Sequence, residues 1–158
     1  MVNALPGKEP EISYQLIMDS CYHELITLAT KRIPYLPKAE GIVKSNIEKV
    51  KEGLHNYNSL SEIKAILYIM ISQDCEHLRE YAATLHKKAY ETHYHQLVFY
   101  LGYFATKGNA ALIADITFKQ LEIEYFNYGP KCSVELYIKS TAISLCLKDL
   151  ETMIYTKP

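Results

Sequence analysis

Residues 59–89 read SLSEIKAILYIMISQDCEHLREYAATLHKKA. The stretch holds neither glycine nor proline, so nothing in it breaks a helix. Ser59 and Glu62 spell a capping box, in which each side chain satisfies a stray backbone N–H at the helix start. An apolar stripe follows at helical spacing: Ile63, Leu67, Met70, Leu78, Tyr81 and Leu85. Asp74 occupies a slot within that stripe, with His77 one turn on. A carboxylate there needs a partner if it is inside, because an unpaired buried charge is costly.

The residues after Ala89 carry a second stripe, Tyr90, Tyr94, Leu97, Leu101 and Phe104. At about 100° per residue it points nearly opposite to the first. That reversal predicts a turn near Ala89–Thr92, with one helix before it and another over Thr92–Thr106.

Upstream, a helix is expected from Glu11 to the Pro34 stop, on a seam of Tyr14, Met18, Cys21, Leu25 and Leu28. Pro37 opens the next helix, with Val43, Ile47, Val50, Leu54 and Tyr57 inward and Lys44, Asn46, Glu48 and Lys49 on polar faces. Downstream, Lys107-Gly108-Asn109 ends one helix and starts the next. The fifth helix carries Ala111, Ala114, Phe118, Leu121 and Tyr125. After the Asn127–Pro130 turn, a sixth carries Leu136, Ile143, Leu147, Leu150 and Ile154, then frays from Tyr155. No stretch alternates as a strand does.

The expected fold is all-α: a single-domain antiparallel bundle of five to seven helices over residues 11–155, after a flexible tail at 1–10. The alternative is a short solenoid of three helical hairpins, from helix starts near Glu11, Ser59 and Asn109 spaced by about 50 residues.

The chain has 158 residues, 49% of them hydrophobic, which suits one globular domain. A net charge of −1, with no basic run, speaks against nucleic acid as a partner. The most apolar stretch, Leu97–Ala105, is too short to span a membrane, and Met1–Pro10 does not spell a signal peptide. The four cysteines form no Cys-x-x-Cys pair, and reduced thiols fit a cytoplasmic location. Two Cys-x-His pairs, Cys21/His23 and Cys75/His77, cannot each face one zinc ion on a helix, because residues two apart diverge by about 200°.

No nucleophile elbow, phosphate loop or zinc-protease motif occurs, and neither a metal nor a cofactor is expected. The chain has 14 tyrosines and no tryptophan. The first functional expectation is a protein–protein interaction module (adaptor, chaperone-like or regulatory) with a Tyr-rich apolar face. Tyr90, Tyr94, Tyr100, Tyr103, Tyr125 and Tyr128 are its candidate residues, and a protein partner or a second copy its occupant. The alternative is a small metal-dependent or acid–base enzyme around Asp74/His77 and His93/His95, the last pair converging at the expected turn. A third option is a small apolar ligand held between helices.

Overall fold

The computed structural model describes residues 11–106 and 108–155, with side chains through 152. The tail expected over 1–10, and the end of the chain after Tyr155, lie outside the described residues. Five α-helices and one 3₁₀ turn account for the regular structure of the described residues, with no strand among them: α1 Tyr14–Thr30, α2 Leu36–Lys51, the 3₁₀ turn Leu54–Asn56, α3 Leu60–Leu101, α4 Ala110–Phe126 and α5 Val134–Tyr155. The all-α bundle is therefore as the sequence predicts. The chain divides into two compact units, Met1–His77 and Leu78–Pro158, with α3 contributing to both.

In the first unit, α1 starts at the Ser13 cap, whose Oγ accepts the Leu16 N–H at 3.2 Å. A side-chain acceptor at that position sets the start more firmly than Glu11, which only complements the helix dipole. The buried line is Ile17, Cys21, Leu25 and Ala29, and the expected Tyr14, Met18 and Leu28 flank it half-buried. Pro37 sits in the first turn of α2, as predicted, and α2 buries Ala39, Val43, Asn46, Ile47 and Val50. Leu54 and Tyr57 fall beyond its end at Lys51. The Lys51 ammonium lies 4.9 Å from the Tyr14 ring centre, so the end of α2 meets the start of α1 and the two run antiparallel. Glu24 of α1 pairs with Lys64 near the start of α3, and Asn46 of α2 bonds Asp74 further along it. At the start of α3, Ser59 Oγ accepts the Glu62 N–H, while Glu62 reaches back one residue past the expected partner to the Asn58 N–H.

The predicted turn at Ala89–Thr92 does not exist, because α3 is one helix of 42 residues. Its buried line is Ile63, Leu67, Ile71, Cys75 and Leu78, continuing through Ala82, Ala89, Leu97 and Leu101. Steps of four rotate such a line by about 40° each, so the buried face drifts around the helix and the change of phase needs no break. Thr84 and Thr92 hydrogen-bond carbonyls four residues back, at Glu80 and Lys88, and remain within the helix. The continuous α3 also removes the middle hairpin that a three-hairpin solenoid requires. The helix stops at Leu101 rather than Thr106, and Gly108 takes the left-handed conformation (φ 90°) just before α4.

In the second unit, Tyr94 of α3 bonds Asp115 of α4, and His86, two turns earlier, bonds the Phe118 carbonyl, so α4 runs antiparallel to α3. Lys139 lies over the Tyr100 ring, and Asp149 accepts bonds from Thr106 and Asn109, so α5 returns alongside α3 in its own direction. Asn109 precedes α4 as predicted, yet its side chain bonds Thr106 and Asp149 instead of capping the helix. At the far end of α4 the Gly129 N–H bonds the Glu124 carbonyl and the Tyr128 N–H bonds that of Tyr125. This is a Schellman closure, with Tyr128 (φ 66°) where glycine is usual.

The largest departure is in α5. Its core-facing residues are Ile138, Ala142 and Cys146. Of the expected stripe of Leu136, Ile143, Leu147, Leu150 and Ile154, the last lies outside the described side chains and the rest is not buried: Leu136 and Leu147 are each 57% exposed, Leu150 is 40% exposed and Ile143 is half-buried.

Candidate functional site

Asp74 lies on the shoulder of the buried line of α3, beside Cys75. Its side chain is 41% exposed, and its Oδ2 accepts Asn46 Nδ2 at 2.8 Å, with Lys49 Nζ at 3.7 Å. The buried polar group at this position is Asn46, expected on a polar face but 0% exposed. Its second amide proton goes to the Ile42 carbonyl at 2.9 Å, and its Oδ1 has no partner among the described residues. The reverse amide orientation would set oxygen against the Asp74 carboxylate, so the bond to Asp74 fixes which way the amide points. Asp74→Ala leaves one buried amide proton unsatisfied and is expected to cost about 1–2 kcal/mol in urea denaturation. A change below a few tenths would show that the bond carries no net weight.

His77 is exposed, and Asp74 is engaged by α2. His93 and His95 do not converge, since the turn that would have gathered them is helix. His95 is exposed with its ring against Tyr94, whereas His93 lines a cavity with residues of α5. In the two Cys-x-His pairs the cysteines are buried and the histidines exposed, as helix geometry requires. Burial pushes the Cys21, Cys75 and Cys146 thiols up, away from the reactive thiolate. Among the described residues no three His, Cys, Asp or Glu side chains form a group that could hold a metal ion, and no helix is long and apolar enough to cross a membrane.

The six candidate tyrosines separate. Tyr125 is core, and burial raises its hydroxyl pKa, so it does not belong to an open face. Tyr90 and Tyr94 stack at 4.3 Å and both pack on Phe118, at 5.2 and 5.7 Å. The Tyr94 hydroxyl donates to Asp115 at 2.7 Å, and that carboxylate, with some burial, pushes the phenol well above its usual range. Tyr100 is half-buried against Phe104, at 4.9 Å. Tyr103 and Tyr128 are widely exposed, Tyr103 edge-on to the exposed Phe99 and Tyr128 against Tyr81.

Between α3 and α5 lies a cavity of about 200 Å³, lined by His93, Gln96, Leu97, Tyr100, Glu135, Ile138 and Lys139. The α3 residues follow i, i+3, i+4, i+7 and the α5 residues i, i+3, i+4, so each helix gives one face. Leu97 and Ile138 are buried, whereas Gln96, Glu135 and Lys139 are exposed. Lys139 donates to Glu135 at 2.6 Å and holds its carboxyl below the usual range, with His93 a lesser contributor. Glu135 and Lys139 were not among the sequence candidates. An i, i+4 acid–base pair is common on exposed helices and gives no sign that a cavity lies beside it.

Beside this cavity, α5 presents its exposed seam. Leu136, Ile143, Leu147 and Leu150 are separated by seven, four and three residues, the spacing by which one helix packs on another. Lys139 and Ser140 fill the gap between the first two. No protein-family model matches the sequence, and neither a curated protein nor a solved structure matches it.

Proposed function

We propose that the protein is a helical protein–protein interaction module, of adaptor, chaperone-like or regulatory type, that receives a protein partner along α5. The observation that carries this reading is the seam of exposed Leu136, Leu147 and Leu150 with half-buried Ile143 among them. Leu136, Leu147 and Leu150 are 57%, 57% and 40% exposed, so each forgoes about half of the roughly 1.5–3 kcal/mol that full burial would give, which a docking helix would recover. A smaller, flatter line on the same helix, Ile138, Ala142 and Cys146, serves the core. The second unit also exposes Phe99, Tyr103 and Phe104 at and just after the end of α3, aromatic types that favour interfaces. The Tyr-rich face of the first expectation narrows accordingly to Tyr103 and its neighbours, with the leucine seam as the larger apolar element.

The test compares wild type with the double variant Leu136→Glu/Leu147→Glu as bait in quantitative pull-downs and in sedimentation at rising concentration. Both positions are exposed, so the variant should retain wild-type helicity and urea midpoint. The expected result is a partner, or a self-association, seen with wild type and weakened at least tenfold by the variant. Equal behaviour of the two proteins in both measurements would dispose of the seam as a binding face.

A further inference from the structure

We infer that the outer face of α4 pairs with the same face of a second copy of this chain, as two antiparallel helices about a two-fold axis. α4 is apolar on two opposite sides. Ile113, Thr117, Phe118, Leu121 and Tyr125 are buried on one. Leu112, Ile116 and Ile123 stand on the other, 57%, 36% and 45% exposed. At about 100° per residue these three lie within about 40° of one another, nearly opposite the centre of the buried side. A helix with apolar residues all round belongs in an interior. This face is on a different helix from the α5 seam and does not depend on the reading of that seam.

The spacing and charge of the stripe itself select the occupant. With Lys119 it runs 112, 116, 119 and 123, in steps of four, three and four that are the same from either end. A two-fold contact has that property, because a residue that meets another must also be met by it. Antiparallel pairing on this stripe sets Leu112 against the second copy's Ile123, and Ile116 against its Lys119. Lys119 follows Asp115 by one turn on the same edge of the stripe. The two do not pair within the chain: the Asp115 carboxylate takes the Tyr94 hydroxyl at 2.7 Å, and Lys119 has no ion pair among the described residues.

Antiparallel helices bring like edges together, so Lys119 of each copy meets Asp115 of the other. No like charges face each other across the contact, since Glu122 falls opposite Ala111 and Glu124 opposite Asn109. Such edge charges select the partner and the orientation more than they add affinity. One helix face lies at the small end of interfaces, so the dimer is a weak, exchanging one, with a dissociation constant of order 100 µM.

Sedimentation equilibrium of the full chain up to about 1 mM, at low ionic strength, should show a monomer–dimer curve. Leu112→Glu, at an exposed position, should weaken the dimer at least tenfold with helicity unchanged. Lys119→Glu and Asp115→Lys each set like charges opposite one another, and each should weaken it at least fivefold. An equimolar mixture of those two variants has unlike charges at both contacts, so a heterodimer of wild-type strength should form. Should Asp115→Lys lose its fold with the Tyr94 bond, Lys119→Leu takes its place. That variant lengthens the apolar stripe and should tighten the dimer at least threefold.

A chain that stays monomeric throughout would overturn the assignment, as would a dimer that Leu112→Glu leaves unchanged. A dimer lost in Leu136→Glu/Leu147→Glu and kept in Leu112→Glu would put the second copy on the α5 seam instead. Capture of a different protein through Leu112, by a chain that does not self-associate, would give the face to another partner; both results overturn the pairing. Failure of the mixture to recover would overturn the antiparallel register. If Leu112→Glu abolishes the dimer while the α5 variant behaves as wild type in every assay, the α4 pairing stands and the α5 reading falls.

Discussion

Asn46→Asp is expected to destabilise the protein by about 3–5 kcal/mol at pH 7, far more than Asp74→Ala. The two side chains are equal in size, so packing does not change. What changes is the group opposite Asp74: an amide that donates at 2.8 Å becomes a carboxylate that can only accept. Both amide bonds, to Asp74 and to the Ile42 carbonyl, are lost, and a second negative charge sits at a fully buried position. Lys49, 3.7 Å from the Asp74 oxygen and itself exposed, offsets only part of this.

The pH dependence of this variant has a defined sign. Burial and the neighbouring carboxylate hold the new acid above its unfolded value of about 3.9, so its neutral form is the one the fold tolerates. The deficit is smallest below that value and grows as pH rises through the folded pKa. Urea denaturation at pH 4 and pH 7 reads this directly. Pairing Asn46→Asp with Asp74→Asn restores a donor opposite an acceptor and should recover at least half of the loss. A single variant within 0.5 kcal/mol of wild type at pH 7 would show that the helices part locally and let water reach the pair.

Phe118→Ala should cost about 3–5 kcal/mol by the same measurement. Phe118 is among the largest fully buried side chains, and three aromatic rings of α3 rest on it: Tyr90, Tyr94 and His86, at 5.2, 5.7 and 6.0 Å. Truncation removes the surface that fixes the Tyr90–Tyr94 stack, so near-ultraviolet circular dichroism from tyrosine should fall along with stability. If stability falls while that signal is intact, the stack is held by the Tyr94–Asp115 bond instead. The variant leaves the α5 seam untouched, which separates a fold defect from a binding defect when both are assayed.

Much of the local structure was legible in the residues. Ser59 and Glu62 mark a helix start, Pro37 opens α2, and Gly108-Asn109 precedes α4. Each is a short-range effect of backbone donors or φ freedom, which needs no knowledge of neighbours. The errors share one cause. Periodicity fixes which residues lie on one face of a helix, and leaves open which face meets another helix. In α1, and in α3 from Ile63 to Cys75, the buried line advances by fours, where the stripes expected from the sequence mix fours and threes. That one-residue difference moved Asp74 from the seam to its shoulder and put Cys75 inside.

At the cavity, the sequence offers His93 by residue type and pairs it with His95. His95 is two residues away and faces elsewhere on a continuous helix, whereas Glu135 is brought to the same cavity by α5. Asn46 was missed altogether, because an asparagine among lysines and glutamates looks like surface until a partner helix covers it.

The sequence by itself determined that the chain is helical, where most of its helices begin, and that residues 59–106 contain no strong breaker before Gly102. These follow from backbone hydrogen bonding and steric rules that act within a few residues. Only the tertiary structure decided that α3 runs unbroken, that Asn46 answers Asp74, and that α5 turns Ile138, Ala142 and Cys146 inward and leaves Leu136, Leu147 and Leu150 out. Those outcomes depend on which helix faces which. A helix with two apolar stripes can bury either at similar cost, and the choice falls to the shape of its neighbours.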